Sequence, residues 1–266
     1  MPGNAIDLSS DEIDRLTPTR DFSRRGFIAT TVGSGFAAAV MPVTAQTIRT
    51  RSDGLTAGEV TIPAGDFNMP AYRAMPAGKT GLPVVLVVSE IFGVHEYIAD
   101  VARRFAHLGY LAIAPELFVR QGDAQSYGEI ARLISEVIAK VPDAQVMGDL
   151  DACVAWAGAN GGDTKRLGIT GFCWGGRIAW LYAAHSAKLK AGVAWYGRLV
   201  GEPSALQPKN AIDVVAGLQA PVLGLYGGAD AGIPLDTVEK MKAALATGSK
   251  AARQSEFVIF PDAPHA

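Results

Sequence analysis

Cys173 is the residue in this sequence best suited to act as a nucleophile. It stands in the run Gly171-Phe172-Cys173-Trp174-Gly175-Gly176, between a strand-like segment and a helical one. A nucleophile flanked by glycines at a strand-to-helix turn is the nucleophile-elbow pattern, here with cysteine in place of serine. The glycines are required because a Cβ two residues before or after the nucleophile would clash in so tight a turn. The helix start should also favour negative charge on the sulfur. The alternative is a buried structural cysteine in a glycine-rich turn.

Asp230 and His265 follow later strand-like segments and could complete a triad with Cys173. A neutral imidazole at His265 can accept the thiol proton and later return it to a leaving group. Asp230 would orient that imidazole and stabilise its cation, although it could instead cap a helix that starts near Pro234. The chain order nucleophile, acid, base is the order found in α/β hydrolases.

Residues 89–95 follow a valine-rich segment and are expected to supply part of an oxyanion hole. The backbone N–H groups of Ile91 and Trp174 are the expected donors. The carboxylate of Glu90, close to the thiol, would compete with His265 for its proton. We expect His95, in the loop just before a helix, to serve as a cap or to be solvated.

Apolar segments of strand length alternate with helical patterns along the chain. Strands are predicted at 82–88, 110–114, 167–170, 191–195, 222–226 and 257–260, and helices at 97–108, 127–140, 144–157, 176–187 and 235–246. This alternation predicts an α/β fold, in which a mostly parallel central sheet carries helices on both faces. Reactive groups in such folds lie in the crevice beyond the carboxyl ends of the strands. Four residues able to do chemistry directly follow predicted strands: Glu90, Cys173, Asp230 and His265.

With these residues in view, the chain resembles the dienelactone hydrolase family of α/β hydrolases, from about residue 60 to residue 265. The resemblance is carried by Glu90-Ile91-Phe92-Gly93-Val94, Pro115-Glu116-Leu117-Phe118, the glycine-rich elbow, Ala194-Trp195-Tyr196-Gly197, Gly227-Gly228-Ala229-Asp230 and His265. It implies hydrolysis of a small lactone or carboxylic ester of the carboxymethylenebutenolidase type, through a Cys–His–Asp triad and an acyl-enzyme. The resemblance also implies that Glu90 keeps the thiol neutral until substrate displaces the glutamate side chain. Tyr196 and Phe92 would line the pocket, and no metal or organic cofactor is implied.

The sequence departs from the family pattern after the proposed base. Family members continue with an arginine that meets a substrate carboxylate and with a closing helix. No such arginine follows His265 here, so the C-terminal helix is expected to be missing from this chain, either because the sequence is a fragment or because the enzyme is damaged. Arg120 and Tyr127 are possible substitutes for the family's other substrate-binding residues.

Residues 1–45 resemble a twin-arginine export signal. Ser23-Arg24-Arg25-Gly26-Phe27 precedes an apolar segment, and small residues suit cleavage after Ala45. The segment implies recognition by the twin-arginine export machinery and a bacterial periplasmic location, without stable membrane insertion after cleavage. An ordinary N-terminal helix is the alternative. Residues 46–58 are expected to form a linker, and residues 59–266 the hydrolase domain.

Composition narrows the remaining classes of protein. Twenty-four basic and 26 acidic residues give a net charge of -2, which argues against nucleic acid or an anionic membrane as a partner. Two cysteines, both expected to be free, and four histidines exclude a disulfide scaffold or a histidine-rich metal site. Two alternatives to an enzyme stay open: a catalytically silent ligand-binding module, and a thiol redox sensor centred on Cys173.

Overall fold

The core of the molecule is a twisted sheet built from consecutive strand–helix units. A computed structural model describes residues 49–265 of the chain, and the proposed export signal at 1–45 lies outside the described residues. The described strands are β1 (Leu55–Ala64), β2 (Phe67–Pro76), β3 (Leu82–Val88), β4 (Leu111–Pro115), β5 (Gly162–Phe172), β6 (Leu189–Trp195), β7 (Val222–Gly227) and β8 (Glu256–Phe260). The described helices are α1 (Glu96–His107), α2 (Ile130–Glu136), α3 (Asp143–Ala159), α4 (Trp174–His185) and α5 (Leu235–Thr247).

The strands lie in the order β1-β2-β4-β3-β5-β6-β7-β8. From β4 to β8 every neighbouring pair is parallel, whereas β2 is antiparallel to both β1 and β4. Strand β3 is buried along almost its whole length, which requires cover on both faces of the sheet. The predicted α/β fold, with a mostly parallel sheet and helices on both faces, is confirmed.

The boundaries of several segments differ from the sequence-based expectation, and strands β1 and β2 were not predicted. Strand β1 begins at Leu55, so the last four residues of the expected linker 46–58 belong to the sheet. The predicted helix at 127–140 is shorter: α2 ends at Glu136, and a 3-10 turn follows at Ile138–Lys140. Val137 between them is fully buried and leaves helical geometry, with φ −121° and ψ −66°, which interrupts the helix.

Within residues 49–265, no helix combines the length and apolar character needed to cross a bilayer.

Candidate active site

The Cys173 turn has the tight geometry that its glycines predict. Cys173 lies between β5 and α4 with φ 51° and ψ −112°, a left-handed conformation that is unfavourable for a residue with a side chain. A Cβ on Gly171 would lie 2.0 Å from the carbonyl oxygen of Gly175, and a Cβ on Gly175 would lie 2.3 Å from that of Val88. The steric explanation for these glycines is therefore confirmed, and it brings the start of α4 against the end of β3.

A second pair of glycines positions the loop that carries His265. A Cβ on Gly227 would lie 2.2 Å from the carbonyl oxygen of Ala263, and one on Gly228 would lie 2.5 Å from that of Pro261. The N–H of Ala229 donates to Ala263 O over 3.1 Å. The loop after β8 thus lies directly on the end of β7. Asp230 and His265, which are 35 residues apart in sequence, can therefore meet.

Cys173, His265 and Asp230 form a continuous hydrogen-bonded line. Nε2 of His265 lies 3.3 Å from Sγ of Cys173, and Nδ1 of His265 lies 2.7 Å from Oδ2 of Asp230. The side chain of Asp230 is 1% exposed, and its other oxygen accepts hydrogen bonds from the N–H groups of Gly232 and Ile233. Asp230 therefore holds the turn before α5 and faces His265 at the same time. The alternative in which it caps that helix is wrong, because Pro234 is the cap residue and no side chain makes a cap hydrogen bond there.

The thiol of Cys173 is electrostatically held in its neutral form. Burial raises the pKa of Cys173 to about 11, and the carboxylates of Glu90 and Asp230 act in the same direction. The Trp174 N–H and the guanidinium of Arg198 act in the opposite direction but are outweighed. The N–H of Trp174 at the helix start favours negative charge on the sulfur, as expected, but burial and the carboxylates of Glu90 and Asp230 outweigh it, so the pKa of the thiol stays raised.

Glu90 and His95 make a contact that the sequence did not suggest. Oε2 of Glu90 lies 2.9 Å from Nε2 of His95. The Cys173 sulfur makes its hydrogen-bond contact with His265. The expected capping role of the His95 side chain is wrong, since His95 directly precedes α1 yet its side chain makes no cap hydrogen bond. A histidine five residues after the acid in a short loop was the available signal.

Tyr196 lies against the imidazole of His265. Its ring meets that of His265 edge to face, with a centroid distance of 5.0 Å and an interplanar angle of 73°. Tyr196 also has a positive φ of 36°, and burial raises the pKa of its phenol, with Glu90 and Cys173 adding to the effect. Ile91 and Phe92 are half-buried at the end of β3 and pack against the core. Their oxyanion-hole and pocket roles stay predictions.

The two substitute binding residues are engaged elsewhere. The guanidinium of Arg120 pairs with Asp149, with Nη2 2.8 Å from Oδ1, and stacks 4.4 Å over the ring of Phe67. Tyr127 packs beside Arg132, whose guanidinium lies 5.9 Å from its ring centroid. Arg198, which the sequence analysis passed over, is the arginine whose charge acts on the thiol. Its place shortly after β6 was the available signal.

Within residues 49–265, no group of three or more histidine, cysteine, aspartate or glutamate side chains is arranged to hold a metal ion. Both cysteines are free thiols, with Cys153 buried in α3 and Cys173 half-buried.

The sheet order, the glycine-flanked turn after β5 and the acid and base after β7 and β8 define an α/β hydrolase. Residues 69–266 match the Dienelactone hydrolase family, and the chain belongs to that family. A protein of Methylorubrum extorquens, provisionally named carboxymethylenebutenolidase, is 60% identical over 96% of this chain and 87% of its own length. A protein of the same provisional name from Escherichia coli O157:H7 is 54% identical over 90% of this chain and 88% of its own.

A solved structure supports the same assignment. The crystal structure of a provisionally named dienelactone hydrolase from Klebsiella pneumoniae has 57% sequence identity and a TM-score of 0.77, covering 80% of this chain and 88% of that one. The expectation that the chain is a carboxylic ester hydrolase of the dienelactone hydrolase type is confirmed.

Proposed function

We propose that the protein hydrolyses small lactones or carboxylic esters of the carboxymethylenebutenolidase type through a Cys173–His265–Asp230 triad. The observation that carries the proposal is the line of contacts from Sγ through both imidazole nitrogens to a buried carboxylate, with distances of 3.3 and 2.7 Å. Each group has one role that its surroundings favour: Cys173 attacks, His265 transfers the proton, and Asp230 orients the imidazole and stabilises its cation.

Acylation begins from a neutral thiol. Nε2 of His265 removes the thiol proton as Sγ attacks the carbonyl carbon, and the carbonyl π electrons move to oxygen. The N–H groups of Ile91 and Trp174 stabilise that oxyanion. When the intermediate collapses, the C–O bond to the leaving group breaks and His265 returns the proton to the departing oxygen. In a lactone, the departing oxygen belongs to the same molecule as the acyl group. The ring-opened chain, with this oxygen as a hydroxyl group, therefore stays attached to Cys173 as a thioester.

Deacylation reuses the same base. His265 removes a proton from water as the water oxygen attacks the thioester carbonyl. The C–S bond then breaks, the sulfur recovers a proton from the imidazolium, and the carboxylic acid is released. The raised pKa of Cys173 suits this sequence, because thiolate forms only while the proton is being transferred. The resting sulfur is thereby protected from oxidation.

Turnover of 4-nitrophenyl acetate by the full-length protein tests the proposal, with Cys173→Ala as the decisive variant. We expect activity to fall to the level of the oxyanion donors alone, about 10³-fold or more below wild type. Cys153→Ala is the matched control, because Cys153 is a fully buried thiol in α3, and this variant should retain activity. Unchanged turnover in Cys173→Ala would end the proposal.

The two non-enzymatic alternatives give different results in the same experiments. A silent binding module would bind a lactone or ester without any Cys173-dependent release of product. A redox sensor would form sulfenic acid at Cys173 in mild peroxide while showing no esterase activity. The neutral, half-buried thiol argues against the sensor, since the thiolate is the form that peroxide oxidises.

We also propose that residues 1–45 direct export to the periplasm by the twin-arginine route, on the strength of the Arg24-Arg25 pair and the apolar segment after it. Replacing both arginines with lysine should leave the protein in the cytoplasmic fraction of a bacterial host. N-terminal sequencing of the exported form should begin at Gln46. Unchanged fractionation of the double variant would contradict the proposal.

A further inference from the structure

His95 and Glu90 form a second imidazole–carboxylate pair beside the triad. The two side chains meet at 2.9 Å, and the Glu90 side chain is only 12% exposed. His95 stands at the position from which a polar side chain usually caps a helix, yet its ring makes no cap hydrogen bond with α1. The ring is directed to the carboxylate instead.

The loop between β3 and α1 fixes the place of this imidazole. The N–H of Val94 donates to Oε2 of Glu116 over 3.2 Å, and the N–H of His95 donates to Gly93 O over 3.1 Å. The ring of Tyr97 stacks with the His95 ring at a centroid distance of 6.4 Å. The backbone bonds before the ring and the stacking of Tyr97 therefore both favour the orientation in which the imidazole meets Glu90.

One carboxylate links this imidazole to the nucleophile. Burial lowers the pKa of His95, but hydrogen bonding and charge from Glu90, with further charge from Glu116 and Glu96, outweigh burial and raise it. The same Glu90 charge raises the pKa of Cys173, where Asp230 acts in the same direction and Arg198 opposes both. A protonated His95 therefore offsets a charge that otherwise disfavours the thiolate.

We propose that His95 is a positioning residue that holds the Glu90 carboxylate away from the Cys173 thiol and, when protonated, offsets its charge. The thiol proton is then left to His265, 3.3 Å from the sulfur. Without His95, the full negative charge of Glu90 faces the sulfur, disfavours the thiolate and so opposes transfer of the thiol proton to His265. This inference rests on the proposed function, in which Cys173 is the nucleophile.

The test is the pH profile of Cys173 alkylation by iodoacetamide, followed by peptide mass spectrometry, which needs no catalytic turnover. His95→Leu removes both the hydrogen bond and the charge, and we expect alkylation at pH 6, where an imidazole with a raised pKa is mainly protonated, to be about tenfold slower than in wild type. His95→Gln keeps a donor for Glu90 without the charge and should give an intermediate rate. The double variant His95→Leu/Glu90→Gln should recover at least the wild-type rate, because the unpaired charge is gone.

His185→Leu is the matched control. His185 pairs with Asp151 over 2.8 Å, so this variant breaks a similar contact with no link to the thiol and should leave the profile unchanged. The inference is overturned if His95→Leu alkylates with the wild-type profile, or if the double variant stays as slow as His95→Leu. The proposed function fails on a separate result, retained esterase turnover in Cys173→Ala, so the two failures are distinguishable.

Discussion

Two histidine–aspartate pairs in this molecule have nearly the same hydrogen-bond length and very different surroundings. His265 and Asp230 are 2.7 Å apart, and His185 and Asp151 are 2.8 Å apart. The two histidine side chains are equally exposed, at 39% and 40%, but Asp230 is 1% exposed and Asp151 is 53% exposed. The Asp151 pair lies between helices α3 and α4, whereas the Asp230 pair lies at the carboxyl ends of β7 and β8.

Under the proposed function, a short imidazole–carboxylate contact is therefore not enough by itself to make a catalytic pair. Asp230 is fixed by two backbone N–H groups, and the second nitrogen of its histidine faces a thiol. The side chain of Asp151 is half-exposed to solvent, and it also accepts a hydrogen bond from the hydroxyl of Tyr182. A buried carboxylate acts in a lower dielectric, so it orients the imidazole and stabilises its cation more strongly than an exposed one.

The largest expected effect comes from neutralising each aspartate in turn. Asp230→Asn should lower kcat for 4-nitrophenyl acetate about 10³-fold or more, because the amide favours the wrong imidazole tautomer and cannot stabilise its cation. Asp151→Asn should stay within about twofold of wild type, since an exposed pair contributes little. Equal losses in the two variants would remove the distinction between the pairs.

The second-largest expected effect is on the free energy of unfolding, through the tight turn at Cys173. Gly171→Ala should lower the free energy of unfolding by about 3 kcal/mol or prevent folding, because its Cβ would overlap the Gly175 carbonyl at 2.0 Å. Gly168→Ala lies in the same strand, β5, where the nearest atom to an added Cβ is 3.7 Å away. Urea unfolding should leave this second variant close to wild type, and a similar loss in both would mean that Gly171 is not sterically required.

The neutral resting thiol gives a pH prediction. Burial and nearby carboxylates raise the pKa of Cys173 to about 11, so iodoacetamide should modify it faster by about tenfold for each pH unit up to that value and then level off. Cys173→Ala, in which only the buried Cys153 remains, supplies the background rate. A plateau already reached at pH 7 would show that the resting sulfur is a thiolate.

The smallest expected effect comes from Arg198. Its charge lowers the pKa of Cys173 from a solvent-exposed position, so Arg198→Gln should slow alkylation at pH 8 by about two- to threefold. Raised ionic strength should reduce the difference between variant and wild type, because salt screens an exposed charge. A difference that is unchanged in high salt would point to a structural rather than an electrostatic role.

The sequence predicted the parallel part of the sheet, strands β3 to β8, well. Strands β3 and β4 are apolar runs that are buried almost throughout, and apolar runs also mark β5 to β8, although β8 alternates between exposed and partly buried positions. Such runs are visible without knowledge of the fold. The antiparallel pair β1 and β2 was not anticipated. Residues in β1 alternate between exposed and partly buried positions, and the strand contains Gly58 and Pro63, so it lacks a continuous apolar run.

The triad was predictable for a different reason from the contacts around it. Cys173, Asp230 and His265 each follow a strand, so topology alone brings them to one edge. The Glu90–His95 contact depends on how the seven-residue loop 89–95 folds back. Arg120 pairs with Asp149, 29 residues later in the chain. Such contacts are decided by tertiary packing, which residue types and spacing do not specify.

The most direct test of the central claim is to identify the acylated atom during turnover. The full-length protein is mixed with 4-nitrophenyl acetate, quenched in acid within the first turnover and digested for mass spectrometry. The account predicts one acetyl group on Cys173, formed together with the first burst of nitrophenol and lost as water completes the cycle. An acetyl group on any other side chain, or a product burst with Cys173 unmodified, would contradict it.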